Sequence, residues 1–268
     1  MTAAARTDAD APAGIDLWLG FYDEMTDPDL LSNMRALLSA EERRRETAFY
    51  FPDDRKRYLV TRAMVRTVLS RYAPVAPVDW EFTANRYGRP GIAARHLPQA
   101  GLGFNISHTR GLIALAVARE RIVGVDVENL LVRQRSAQLA ERFFAPSEVA
   151  SLDGLGPQQL HERVFEYWTL KESYIKARGM GLSLPLDRFS FDLAERQVRL
   201  SIDADQNDNP ARWAFWQYCP APGYLLALCA QRQPGAPPPI ALRTVIPTVS
   251  DAPFDSAILK TSEPLTGY

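Results

Sequence analysis

The sequence predicts a mixed α+β fold, built as one large domain or as two lobes. Hydrophobic residues make up 46% of the 268 residues and charged residues 24%, a balance that lets a chain bury enough apolar surface to offset its conformational entropy. Stretches with helical spacing of apolar residues alternate with short stretches rich in β-branched residues. At about 150 residues per domain, the length corresponds to about two units.

The first hundred residues predict one strand, two helices and a small β segment. After a mobile leader over residues 1–14, the apolar run 15–22 predicts a strand. Ser39 and Glu42 have capping-box spacing, in which each side chain bonds the other's backbone N–H, so a helix is expected to begin there. A longer helix is predicted from Pro52 to about Tyr72, where a proline-rich tract ends it. A strand over 80–83 and a tight turn over 87–91 follow.

The middle of the chain predicts antiparallel strands followed by helices. Residues 102–106, 111–118 and 122–128 are apolar and β-branched, with polar turns between them. Helical spacing returns over 133–144 and 161–178, and glycines at 179 and 181 end the second helix. Four further short strands are predicted over 189–193, 198–202, 213–218 and 224–229.

The segment from 233 to 268 is rich in proline. It holds seven prolines, and proline is excluded from helix interiors and central strands. We therefore expect a proline-rich tail that lies on the surface or is partly disordered, and that forms neither a helix nor a central strand.

Composition excludes several classes of protein. The 31 Lys and Arg nearly balance the 32 Asp and Glu, so the chain lacks the basic excess of a nucleic-acid binder. Cys219 and Cys229 lie in apolar stretches and predict buried thiols rather than a disulfide scaffold. No apolar run approaches the ~20 residues of a membrane span, and no signal peptide is recognisable. We therefore expect a cytoplasmic protein with no membrane or nucleic-acid partner.

Three carboxylates could meet at one cation. Asp126 and Glu128 share a face of a predicted strand, about 6.6–6.8 Å apart, although two acids on a solvated edge strand would look the same. Glu172 lies on a predicted helix with Trp168 and Lys176 at i−4 and i+4. A surface Glu–Lys pair is the alternative there, but the tryptophan favours a partly desolvated face. Three such acids suffice for a Mg²⁺ that keeps waters and recruits a diphosphate.

Basic residues could complete an anion site. Residues 35–71 hold ten Lys and Arg against five Asp and Glu, a local charge of +5 that indicates an anion partner. Arg89 lies in a glycine-flanked turn that a ligand could approach. His108, after Ser107, is either a ligand contact or a structural group. Zinc clusters, P-loops and dinucleotide-binding turns have no counterpart in the sequence.

Several segments resemble, in order and spacing, the motifs of the Sfp-type 4′-phosphopantetheinyl transferases. The segments are Phe104-Asn-Ile-Ser-His-Thr109, Val123-Gly-Val-Asp-Val-Glu128, Trp168-Thr-Leu-Lys-Glu-Ser-Tyr-Ile-Lys176, the following 179–187, Arg142-Phe-Phe144 with Glu148, and Tyr87-Gly-Arg-Pro90. The resemblance covers about residues 15–231. It implies a pseudo-dimer of two similar lobes, 15–120 and 121–232, with coenzyme A between them. It also implies transfer of 4′-phosphopantetheine from coenzyme A to a serine of an apo carrier protein, with release of adenosine 3′,5′-bisphosphate.

The resemblance also implies roles for single residues. Asp126, Glu128 and Glu172 would hold Mg²⁺, and Lys176 would stabilise the phosphates. Either Glu148 or Lys176 would accept the serine proton, and His108 is counted with them as catalytic. The positions expected to contact coenzyme A are Arg45, Arg57, Arg89, Ser107, His108, Lys171 and Lys176. Glu42 occupies a helix position that is basic in some relatives, and Arg43, Arg44 or Arg45 could compensate for it.

The implied partner is an acyl or peptidyl carrier protein with an acidic helix, bound by a monomer. Met180, Leu182 and Leu184, beside Lys176 and Arg178, form the predicted docking edge, unless these side chains enter the core. Two other functions remain open. One is a non-catalytic homologue that binds coenzyme A or a carrier, and the other is a Mg²⁺-dependent hydrolase of nucleotide diphosphates.

Overall fold

The computed structural model describes residues 14–96, 101–132 and 136–264. The predicted leader therefore lies outside the described residues, except for Gly14. The described α-helices are α1 (Pro28–Ala36), α2 (Ala40–Ala48), α3 (Pro52–Leu69), α4 (Ser136–Phe143), α5 (Pro146–Ala150) and α6 (Pro157–Arg178). None of them combines the length and apolar character needed to cross a bilayer.

Thirteen strands are described. They are β1 (Ile15–Phe21), β2 (Phe82–Ala84), β3 (Pro90–Ile92), β4 (Leu102–Thr109), β5 (Leu112–Arg119), β6 (Val123–Asn129), β7 (Phe189–Leu193), β8 (Val198–Ile202), β9 (Trp213–Tyr218), β10 (Tyr224–Gln231), β11 (Ile240–Ile246), β12 (Ser250–Pro253) and β13 (Ile258–Thr261). The strands β2 and β3 pair with each other, as do β7 and β8.

The N-terminal lobe is a five-stranded sheet covered by helix α3. Its strand order is β12-β11-β1-β5-β4, and β11 is the strand that runs parallel to β1. Leu59, Met64 and Val68 of α3 pack against Trp18 of β1 and Leu115 of β5 in one buried cluster. Because side chains alternate along a strand, the other face of this sheet is left to meet the second lobe.

The C-terminal lobe repeats this plan with a four-stranded antiparallel sheet and helix α6. The strand order is β13-β9-β10-β6. Phe165 and Tyr174 of α6 share a buried cluster with Phe215 of β9 and Ala227 of β10. Gly179 ends α6 in the left-handed conformation, with φ +65°, which glycine adopts without a steric penalty.

The two sheets pack face to face through a third apolar cluster. Leu17 of β1 and Ala116 of β5 meet Val125 of β6, Trp216 of β9 and Leu228 of β10, all buried. The layers therefore run from α3 through two sheets to α6. The predicted mixed α+β fold with two lobes is confirmed.

Most predicted elements are present, with shifted ends. Ser39 and Glu42 form the predicted capping box, with Ser39 N donating to Glu42 Oε2 at 2.8 Å and Glu42 N to Ser39 Oγ at 3.2 Å. The predicted strand at 80–83 begins two residues later, at Phe82. Helix α1, with nine residues, and the five-residue helix α5 were not predicted. Both cysteines are free, but Cys229 alone is buried; Cys219, just past the end of β9, is exposed.

The prediction that residues 233–268 form a surface tail without a central strand is wrong. Residues 240–261 supply three strands, and β11 is an interior strand between β1 and β12, whereas β13 extends the other sheet next to β9. The prolines do not prevent strand formation here, because they lie at the ends of strands. Pro239 precedes β11, Pro247 follows it, and Pro253 ends β12. The segment thus adds strands to both lobes.

Candidate active site at the junction of the lobes

The contact between α6 and β6 is set by Gly124. A Cβ at this position would lie 2.1 Å from Ser173 O and 2.4 Å from Ala177 N, so any side chain would force the helix away from the strand. The absence of a side chain lets α6 lie directly against β6. As a result, Lys176, near the end of α6, reaches the polar residues of β6.

Lys176 bonds to groups from both lobes. Its Nζ lies 2.6 Å from Asp126 Oδ1 on β6 and 2.8 Å from Ser107 Oγ on β4. The Ser107 hydroxyl also donates to Asp126 Oδ1 at 2.9 Å. The second oxygen of this carboxylate, Oδ2, is buried and has no hydrogen-bond partner. A buried charged oxygen without a partner is costly, so this atom is suited to an incoming ligand.

Glu128 lies next to this cluster on the same face of β6. Both Glu128 and Asp126 are buried, and the indole Nε1 of Trp168 donates to Glu128 Oε1 at 3.1 Å. Trp168 also packs against Phe143, with ring centroids 5.7 Å apart. The alternative that the two acids lie on a solvated edge is thereby wrong, because both side chains are enclosed.

Glu172 is half-buried on α6, one turn before Lys176. Within the described residues, no group of three or more His, Cys, Asp or Glu side chains is arranged to hold a metal ion. The three acids therefore do not form a ready-made cage in this structure, and Asp126 instead pairs with the Lys176 ammonium.

His108 and Arg57 add to this cluster from the N-terminal lobe. His108 is exposed at its rim. Desolvation by the surrounding protein, followed by the positive charges of Arg57 and Lys176, lowers its pKa below the ordinary value of 6.5. The imidazole is therefore neutral at pH 7. Arg57 itself is held by Asp54, with Nη2 2.5 Å from Oδ1.

Arg89 connects the lobes by binding backbone carbonyls. Its Nη1 donates to Ala177 O at 2.6 Å and its Nη2 to Val123 O at 2.9 Å. Burial lowers the pKa of this guanidinium. The side chain predicted to bind coenzyme A thus already anchors the first small hairpin to β6 and α6.

Comparisons with known proteins fit the two-lobe arrangement. The family described as 4′-phosphopantetheinyl transferase, N-terminal, matches residues 26–120, and the 4′-phosphopantetheinyl transferase superfamily matches residues 122–229. The transferase ffp of Bacillus subtilis is 34% identical over 212 residues, which cover 79% of this chain and 90% of that protein. The chain belongs to the 4′-phosphopantetheinyl transferase family.

Two further relatives support the Sfp type within that family. The 4′-phosphopantetheinyl transferase Sfp of Bacillus subtilis strain 168 is 33% identical over 195 residues, 73% of this chain and 83% of its own. HetI of Nostoc sp. is 37% identical over 153 residues, 57% of this chain and 64% of its own. The first family match ends at residue 120 and the second begins at residue 122.

Two residues expected at the site of this transferase lie elsewhere. Lys171 and Glu148 form a fully buried ion pair at 2.7 Å. The Lys171 ammonium also donates to Leu186 O and Phe189 O, both at 2.7 Å, which uses all three of its donors. Glu148 accepts from the backbone N–H of Ala145 and of Phe191. Burial raises the pKa of Glu148 and lowers that of Lys171.

This geometry does not bring either residue to the site. Lys171 has no donor left for a phosphate of coenzyme A, and Glu148 has both oxygens engaged inside the C-terminal lobe. The pair instead ties helices α5 and α6 to strand β7.

Five of the ten basic residues in this stretch of the N-terminal lobe form ion pairs, namely Arg35, Arg57, Arg62, Arg66 and Arg71. Glu42 accepts from Arg62 at 2.5 Å and from Arg66 at 2.8 Å, and Glu46 pairs with Arg35. Glu42 is therefore structural in this transferase. Arg43, Arg44 and Arg45, the residues expected to compensate for Glu42, are all exposed on α2.

The predicted docking edge is only partly at the surface. Leu184 is buried in the C-terminal core, and Met180 packs against that core. Leu182 is 68% exposed. Arg178 donates hydrogen bonds to Tyr174 and Asp208. Among the three predicted apolar residues of this edge, Leu182 is the one that is exposed and open to a partner.

Sequence reasoning missed the side chains that join β4 to β6. Asn105 and Thr109, on either side of Ser107 in the alternation of β4, accept hydrogen bonds from backbone N–H groups of β6. The spacing of three polar side chains at 105, 107 and 109 was the available signal.

Proposed function

We propose that this chain transfers 4′-phosphopantetheine from coenzyme A to a serine hydroxyl of an acyl or peptidyl carrier protein, releasing adenosine 3′,5′-bisphosphate. The observation that carries the proposal is the convergence of Asp126 and Lys176 from one lobe with Ser107, His108 and Arg57 from the other. Both lobes come from a single chain, so we further propose that a monomer is active. Its free thiols favour a reducing, cytoplasmic setting.

The residues present fit a divalent cation in the chemistry of their donors. Asp126 Oδ2 is a buried oxygen without a partner, Glu128 is buried two residues away, and Glu172 lies on the adjoining helix. Carboxylate oxygens are the ligands that Mg²⁺ prefers in proteins. We therefore assign these three acids as the residues that would hold it. The bound ion would neutralise charge on the diphosphate.

Lys176 and Arg57 are proposed to stabilise the phosphates. In this structure Asp126 and Ser107 hold the Lys176 ammonium at the junction of the lobes, which orients it before any ligand binds. A fixed cation needs no reorientation when negative charge develops on a phosphoryl group, and this lowers the barrier. The Arg57 guanidinium adds a second positive charge from the opposite lobe.

His108 is proposed to accept the proton of the attacking serine. It is neutral at pH 7 because desolvation and the neighbouring cations lower its pKa, and a neutral imidazole has one nitrogen able to take a proton. Glu148 is not proposed for this role, since it is fully buried and paired with Lys171, and Lys176, which pairs with Asp126, is assigned to the phosphates.

A transfer assay followed by intact-mass spectrometry tests the proposal. The purified chain is incubated with coenzyme A, Mg²⁺ and an apo carrier protein, with one carrier each from fatty acid, polyketide and nonribosomal peptide synthesis. We expect the carrier to gain one phosphopantetheinyl group. Loss of coenzyme A without a gain in carrier mass would indicate a hydrolase, and neither change would indicate a non-catalytic binding protein.

The role of His108 has its own test. General base catalysis contributes about 10²–10⁴-fold to rate, so His108→Gln should lower kcat by that order with little change in KM for coenzyme A. The wild-type kcat should fall as the pH decreases through the lowered pKa of His108, since the protonated ring accepts no proton. A raised KM with unchanged kcat would instead make His108 a phosphate contact.

A further inference from the structure

We propose that Asn105 and Thr109 are positioning residues that fix the register between the two lobes, and with it the place of Asp126 relative to Ser107 and His108. The proposal rests on the proposed function of that site. It concerns the seam between β4, at the edge of one sheet, and β6, at the edge of the other.

Three side chains of β4 bond to three backbone N–H groups of β6. Val125 N donates to Asn105 Oδ1 at 2.8 Å, Val127 N to Ser107 Oγ at 3.3 Å, and Asn129 N to Thr109 Oγ1 at 3.1 Å. Each donor lies 20 residues after its acceptor. The two strands therefore run alongside each other in the same direction, and every second residue of one is matched to every second residue of the other.

These side chains take the place of a missing neighbouring strand. An edge strand presents a row of unpaired N–H groups, and such groups need acceptors when they are buried. Asn105 and Ser107 are buried, as are Val125, Val127 and Asn129. The polar side chains of β4 supply these acceptors, and the two strands are joined through them rather than through backbone-to-backbone hydrogen bonds.

The pattern has one consequence for the site. Slipping this seam to its next matched arrangement, by two residues, would move Asp126 by about 6.6–6.8 Å along the strand. That distance would separate Asp126 from Ser107, which now bonds it at 2.9 Å. Ser107 is part of the site itself, so Asn105 and Thr109, one on each side, are the residues that hold the register around it.

The test compares two substitutions at Thr109. Thr109→Val keeps the shape but removes the acceptor, whereas Thr109→Ser keeps the acceptor. We expect Thr109→Val to lower kcat/KM for coenzyme A about tenfold, as expected when one buried N–H loses its partner, and Thr109→Ser to stay within about twofold of wild type. All rates are measured at a temperature far below the Tm of each variant. Thr109→Ala replaces the valine variant if the latter is insoluble.

Thr61→Val is the matched control. Thr61 is buried in α3 of the same lobe, and its hydroxyl has no hydrogen-bond partner, so this variant should keep wild-type rates. Amide hydrogen exchange provides a readout that does not depend on activity. Residues 127–129 should exchange about tenfold faster in Thr109→Val than in Thr109→Ser.

Two results would overturn the proposal: wild-type kcat/KM in Thr109→Val, or equal exchange over 127–129 in the two Thr109 variants. A wild-type protein that transfers nothing would refute the proposed function, yet the exchange experiment would still decide the role of Thr109.

Discussion

Replacing Lys171 or Glu148 separates a structural role from a catalytic one. Both side chains are fully buried, and the three hydrogens of the Lys171 ammonium are bound by Glu148, Leu186 O and Phe189 O at 2.7 Å each. Lys171→Met would leave a buried carboxylate without its counter-charge, together with two carbonyls that lose a donor. Glu148→Gln would leave the opposite charge uncompensated.

The expected size of the effect follows from this geometry. Removing one partner of a buried ion pair costs about 3–5 kcal/mol. At about 2–4 °C per kcal/mol for a chain of this size, each single variant should lose about 6–20 °C in Tm. The double variant Lys171→Met/Glu148→Gln should lose less than the sum, because neither charge is then left alone.

The assay combines thermal unfolding with kinetics at a temperature where every variant is folded. Since the pair is fully buried inside the C-terminal lobe, kcat per folded enzyme should stay within about threefold of wild type, far from the 10²–10⁴-fold loss of a missing general base. A fall in kcat of more than about 100-fold in folded Glu148→Gln would refute the structural assignment and restore Glu148 as the proton acceptor.

Three further predictions concern docking, the C-terminal strands and pH. Leu182→Asp should raise KM for the carrier protein while Tm stays within about 1 °C of wild type, because an exposed side chain contributes little to stability; a large loss of Tm would place Leu182 in the core. Asp251 accepts from Arg71 at 2.5 Å and from Arg243, so Asp251→Asn should cost about 1–3 kcal/mol of unfolding free energy in denaturant titrations; an unchanged midpoint would show that this hairpin does not depend on the pair. For Glu42, burial alone would raise the pKa, but Arg62, the Ser39 N–H and Arg66 outweigh it and lower the pKa below 4.5. Its contribution to stability is therefore present above pH 4.5 and is lost as the pH falls through the lowered pKa, so the Tm difference between wild type and Glu42→Gln should shrink as the pH decreases from 7 to 3.

The elements of the fold could be predicted from the sequence where local signals were strong. The capping box at Ser39, the glycine end of α6 at Gly179 and the alternating strands of the second lobe all follow from rules that act over a few residues. The C-terminal strands were not predicted because the prediction used the number of prolines. The positions of the prolines matter more, since a proline at the end of a strand leaves the pairing of that strand intact. Residues 240–246 contain no proline, and β1 offers them an open edge.

The site was predictable in its residue types but less so in their placement. Asp126, Lys176, Ser107 and His108 come together as the motifs indicated. Lys171 belongs to the same motif as Lys176, yet its side chain is buried in the core. Side chains of successive residues are rotated by about 100° around a helix axis, so residues of one motif can face opposite sides of the helix. Side chains that bond across the seam, such as Thr109, carry no local signal for their partners, which lie 20 residues away and on another sheet.

The proposed site as a whole is tested most directly by Asp126→Asn in the mass-spectrometric transfer assay. This variant keeps the size of the side chain but removes the charge that Lys176 binds and the buried oxygen offered to a cation. We predict that wild type converts the apo carrier in the presence of coenzyme A and Mg²⁺, whereas folded Asp126→Asn is at least about 100-fold slower. Equal rates for the two proteins would contradict the assignment of this cluster as the place where phosphopantetheine is transferred.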